Sequence, residues 1–110
     1  GTTIGAIVNA SSSRLYLNGS IFNGACTFTK NGGGNESSTG FNTFNSTISL
    51  TNSWTSYFLL GNTNPDTFND ELTINNTATS LIYIAHNSSG NQFNGNIILN
   101  PTLGTGIRFG

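Results

Sequence analysis

The chain has 110 residues, of which only 6% are charged, and a net charge of −1 at pH 7. Soluble domains ordinarily carry about 25% charged residues, and a chain this poor in Lys and Arg has no basic surface to hold a phosphate backbone. Nucleic acid is therefore not an expected partner, and no run of about 18 apolar residues is present to cross a bilayer as a helix. Asn, Thr, Ser and Gly dominate the polar residues, yet eight Phe, three Tyr and one Trp recur in a regular pattern that a disordered polar tract would lack.

Four segments share one pattern along the chain. They are Phe22-Asn23-Gly24-Ala25-Cys26-Thr27-Phe28, Phe44-Asn45-Ser46-Thr47-Ile48-Ser49-Leu50, Phe68-Asn69-Asp70-Glu71-Leu72-Thr73-Ile74 and Phe93-Asn94-Gly95-Asn96-Ile97-Ile98-Leu99. Their Phe-Asn pairs stand 22, 24 and 25 residues apart. Each unit places apolar residues four and six positions after its Phe, and most place a second pair at fourteen and sixteen: Phe58 and Leu60, Ile82 and Ile84, Ile107 and Phe109. Such alternation is the period of a half-buried strand and not of a helix. Counting back from Leu15 and Leu17 starts the first unit at Gly1, with Gly1 and Thr2 in place of Phe-Asn. Turn formers separate the runs, among them Asn52-Ser53, Asn62-Thr63-Asn64-Pro65-Asp66, Asn75-Asn76-Thr77 and Asn87-Ser88-Ser89-Gly90.

A short-strand antiparallel sandwich would fit the alternation but gives no reason for the same residue at the same phase. In a solenoid, equivalent residues stack about 4.8 Å apart, so aromatic rings pile on each other and amides bond along the axis. The expectation is thus an all-β fold, a parallel β-solenoid of about five coils of 22–25 residues in one block, 1–110, with coils starting near 1, 22, 44, 68 and 93. Phe22, Phe44, Phe68 and Phe93 would form one structural column, and Asn23, Asn45, Asn69 and Asn94 the next. The second unit is the irregular one. Glu36 and Ser38 fall on its later apolar positions, after Gly32-Gly33-Gly34. Either Thr39 and Phe41 take over the inward role, or Asn31 to Thr39 bulges out, with Glu36 in a surface loop because an unpaired buried charge is costly.

These units, with Tyr57-Phe58-Leu59-Leu60-Gly61-Asn62, Ile84-Ala85-His86-Asn87-Ser88-Ser89-Gly90-Asn91-Gln92-Phe93-Asn94-Gly95 and Gly104-Thr105-Gly106-Ile107-Arg108-Phe109-Gly110, resemble the repeat regions of very large surface proteins of the Bacteroidota, some of them adhesins of gliding cells. The resemblance runs from about Ile21 onward. It implies a secreted, surface-displayed, extended protein and carries over no binding or catalytic residue.

Chemistry is sparse. Asp70 and Glu71 are adjacent, so on a strand they face opposite ways and make a poor glycosidase pair. Arg14, Lys30 and Arg108 fall in different coils, and His86 is the only histidine. No catalytic residue, metal site or cofactor is expected; Asp66 with turn carbonyls is the nearest thing to a calcium site. Cys26, alone, reads as a buried thiol. The outward positions Thr27, Ser49 and Thr73, with Thr29 and Thr51 beside them, make a face that could bind glycan or ice. The first and last units break both columns, with Ala6 and Ile98 in one and Val8 and Asn100 in the other. Trp54 and Tyr57 read as an exposed aromatic pair or, preferably, as the cover of a coil corner. Sequons mark Asn9, Asn18, Asn35, Asn45, Asn75 and Asn87 as possible glycosylation sites. Both ends read as unfinished coils. The expected function is a structural block of an extracellular fibre or adhesin stalk, with copies of itself or neighbouring repeats stacked head to tail. The alternative is a binding module that uses the Thr/Ser face.

Overall fold

The computed structural model describes residues 1–34, 38–103 and 106–110. Its elements are β1 (Thr3–Ile4), β2 (Val8–Ser12), β3 (Ile21–Phe22), β4 (Cys26–Lys30), β5 (Thr43–Phe44), β6 (Ile48–Asn52), β7 (Phe58–Leu59), β8 (Thr67–Phe68), β9 (Leu72–Asn76), β10 (Ile82–Ile84), β11 (Gln92–Phe93), β12 (Ile97–Pro101) and β13 (Ile107–Phe109). The strands pair in parallel into three sheets, ordered β1-β3-β5-β8-β11, β2-β4-β6-β9-β12 and β7-β10-β13. Each strand pairs with its counterpart one turn away, which is a parallel β-solenoid.

Register explains why residue types repeat. Phe22, Phe44, Phe68 and Phe93 are paired in succession. Their rings stack with centroids 5.0, 5.1 and 5.1 Å apart and planes within 12° of parallel. Cys26, Ile48 and Leu72 make the next inward column, and Phe28, Leu50 and Ile74 the one after, all buried. On the third sheet, Phe58 and Ile82 close the core from the opposite side. Full burial of each such side chain contributes about 1.5–3 kcal/mol.

The register corrects the start of the first coil. Ile4, not Gly1, stands beneath Phe22, so the coil-to-coil steps are 18, 22, 24 and 25 residues. That is four turns and a partial fifth pass. The spacing from the Phe position to the long strand is always four, as in Ile4 to Val8 and Phe22 to Cys26, whereas the returning arc varies in length. Leu15 and Leu17 lie on that variable arc, so counting back from them misplaces the start.

The second coil corrects another expectation. Ser38 fills the inward place, fully buried, donating from Oγ to the Leu15 carbonyl and accepting from the Leu17 amide. A short hydroxyl with two backbone partners costs little inside. Phe41 points outward, 63% exposed, in a left-handed turn with φ 61°. Beside it Gly40 has φ 105°, and a Cβ there would collide with the Asn64 carbonyl, so only glycine fits this close crossing. Asn35 and Glu36, and with them the centre of the expected loop, lie outside the described residues.

Candidate functional site

The polar residues of the described chain are organised as ladders along the solenoid axis. The first is the exposed column at the Phe-Asn corner. Asn45 Nδ2 donates to Asn23 Oδ1 at 2.8 Å, Asn69 to Asn45 at 2.7 Å and Asn94 to Asn69 at 2.8 Å. Every amide donates toward the first coil. The ladder stops at Asn23 because Gly5 follows Ile4 at the equivalent place and has no side chain.

The second ladder is the outer face of the long-strand sheet. The corrected register aligns Asn9, Thr27, Ser49 and Thr73 in one column and Ser11, Thr29, Thr51 and Asn75 in the next. Hydroxyls and amides therefore continue through the first coil, where Ala6 and Val8 were expected to break them. Only Ile98 in the last coil interrupts the first column, and Asn100 extends the second, donating to Asn75 Oδ1. Spacing is about 4.8 Å between coils and about 6.6 Å along a strand. Asn75 Nδ2 reaches Ser49 Oγ and Thr51 Oγ1.

Two further ladders run inside the coils, and sequence reasoning missed both. At the end of the long strands, Lys30, Asn52 and Asn76 pair in register and are buried. Asn52 Oδ1 accepts from the Trp54 amide and its Nδ2 donates to the Ser56 carbonyl. Asn76 repeats this with Ala78 and Ser80, and donates also to the Gly106 carbonyl. Lys30 replaces the amide in its coil and donates from Nζ to the carbonyls of Ser13 and Gly34. The spacing of eight from each Phe was visible in the sequence, but polar residues beside a turn read as solvated.

The other internal ladder lies two residues before the Phe column: Ser20, Asn42, Asp66 and Asn91. The Ser20 amide donates to Asn42 Oδ1, the Asn42 amide to Asp66 Oδ1 and the Asp66 amide to Asn91 Oδ1, at 3.1, 2.8 and 2.8 Å. Asp66 is 1% exposed, and its Oδ2 is one of two buried side-chain atoms without a hydrogen-bond partner among the described residues, His86 Nδ1 being the other. Burial pushes the Asp66 carboxyl up to about 6, against the lowering effect of the bonds from Asn42. Sequence reasoning had placed Asp66 in a turn available to a cation; it faces inward instead.

The remaining candidates are scattered. Asp70 is exposed and Glu71 half-buried at the corner, where Asp70 Oδ1 accepts from the Glu71 amide. Among the described residues, no three His, Cys, Asp or Glu side chains gather to hold a metal. Cys26 is buried, and burial raises its thiol. Trp54 and Tyr57 part company: Trp54 lies over Gly33 in the preceding coil, while Tyr57 meets Tyr83 edge-on. Tyr83 also carries His86 and Arg108 against its ring. Among the sequons, Asn9, Asn18, Asn45 and Asn87 are exposed and Asn75 is half-buried, while Asn35 lies outside the described residues. The amide nitrogens of Asn45 and Asn75 are occupied by ladder bonds. The chain matches no protein-family model, no curated protein and no solved structure.

Proposed function

We propose that this solenoid is a structural block of an extracellular fibre or cell-surface stalk, adding length by stacking coil upon coil, with no enzymatic step. The observation that carries the reading is the in-register repetition of whole residues. Phe rings stack at one spacing through four coils, and the Asn ladder keeps one polarity beside them. Each coil therefore offers the next a matched surface. The last coil presents Ile97, Leu99 and Phe109 at 41%, 46% and 42% exposure, whereas their counterparts Leu72, Ile74 and Ile84 are buried. A neighbouring repeat or a second copy, entering in the same orientation, would bury that layer. Such a head-to-tail contact does not close and so builds a rod. Secretion and display at a cell surface belong to the same proposal, supported by the low charge and the Asn/Thr/Gly-rich repeat.

Electron microscopy of the purified chain tests this. Filaments with an axial repeat near 4.8 Å are expected; monodisperse single particles at every concentration would overturn self-stacking.

The continuous hydroxyl and amide face favours one second reading, a glycan- or ice-binding surface. Its width of two columns through four coils is larger than the sequence pattern suggested. Replacing Thr27, Ser49 and Thr73 together with Tyr would abolish binding while leaving the fold and filaments intact. Unchanged binding to a glycan panel and unchanged ice growth would dispose of this reading.

A further inference from the structure

Asp66 occupies a place that its own column assigns to an amide. In the coils on either side the equivalents are Asn42 and Asn91, and all three use Oδ1 in the same way, accepting a backbone N–H from the preceding coil. The difference is at the second atom. Asn42 Nδ2 donates to the Leu17 carbonyl at 2.7 Å, and Asn91 Nδ2 donates to the Ser88 carbonyl and hydroxyl. At Asp66 the corresponding atom is Oδ2, buried and without a partner. An ionised carboxylate has only acceptors, while a protonated one gains an O–H donor and has the donor-acceptor pattern of an amide. Both bonds from Asn42, backbone and side chain, converge on Oδ1 and leave Oδ2 as the place for the proton.

We propose that Asp66 is protonated in the folded solenoid and acts as its pH switch, release of the proton to solvent leaving an unpaired charge inside the stack and loosening the junction of the second and third coils. Among the described residues no cation is placed to compensate. The segments stacked on Asp66, residues 38–42 and 85–91, contain one titratable side chain, His86, whose ring packs on Tyr83. The rest of its own arc, residues 61–65, contains none.

The direction of the effect follows from proton counting. The folded carboxyl sits near 6 and the unfolded one near 3.8. Between these values the folded chain binds the proton and the unfolded chain does not, so stability falls as pH rises. It is fully present below about 3.8 and lost as pH passes about 6, a change of about a hundredfold in the unfolding constant. The solenoid is thus tightened by acid, opposite to the usual behaviour of paired surface carboxylates.

Carboxyl-carbon NMR of the whole chain, with urea unfolding followed from pH 4 to 7.5, tests the proposal. Asp66 should titrate near pH 6. Unfolding should become about a hundredfold easier across the range in the parent and in His86→Gln, and the slope should vanish in Asp66→Asn. An Asp66 that titrates near 4, or an Asp66→Asn protein that keeps the slope, would overturn it. If Asp66→Asn does not fold, the NMR titration decides alone.

Discussion

The Phe-Asn corner with the long strand after it, and the arc that returns to the next corner, are made from the same few amino acids under different rules. The corner and strand never change length: the strand always begins four positions after the Phe position, and five residues pair in register. Residue identity is held there because each ring or amide stacks on its own kind. The arc instead grows with each turn, as the steps of 18, 22, 24 and 25 residues show. It reaches closure with whatever fits locally: Leu15 and Leu17 in the first coil, a buried Ser38 in the second, and strands β7, β10 and β13 only in the last three. Stacking between identical layers fixes sequence, whereas a variable path fixes only the places where backbone groups must find partners.

Three substitutions probe that contrast, beginning with the largest effect. Phe68→Ala removes a ring held between Phe44 and Phe93 and should cost about 3–5 kcal/mol in urea unfolding. A cost below about 1 kcal/mol would mean that the corner does not depend on the stack. Asn76→Ala tests the hinge between strand and arc. It strips partners from the Ala78 amide and from the Ser80 and Gly106 carbonyls, and should cost about 2–3 kcal/mol. Equal behaviour of Thr77→Ala, at an exposed neighbour, would show that the amide is not what anchors the arc. The smallest effect is a gain. A Cβ at Gly5 meets nothing within 4 Å, so Gly5→Asn can extend the amide ladder by one rung and should stabilise by about 0.5–1 kcal/mol. A loss of stability would mean that the ladder cannot be lengthened at the first coil.

Much of the fold was legible because the signal was repeated. One Phe-Asn pair means little, but four at nearly constant spacing specify parallel stacking, and the Phe and Asn columns appear in the structure as expected. The hydroxyl face was legible in three coils. Its continuation through Asn9 and Ser11 was hidden by a phase error that came from the arc. The internal ladders were not legible at all. Asn42, Asp66 and Asn91 look like ordinary turn residues, and nothing in Lys30 announces a side chain with no exposure. Turn formers serve equally well facing water or facing backbone groups of the neighbouring coil, and composition does not distinguish the two.

The sequence by itself determined the strand period, the coil repeat and the stacked columns, because each follows from alternation and from the recurrence of one residue type at one phase. Only the tertiary structure decided the starting phase of the first coil, the outward turn of Phe41 and the inward turn of Ser38, Lys30 and Asp66. Those outcomes depend on which backbone amides and carbonyls of the adjacent coil lack partners, and that is set when the layers come together.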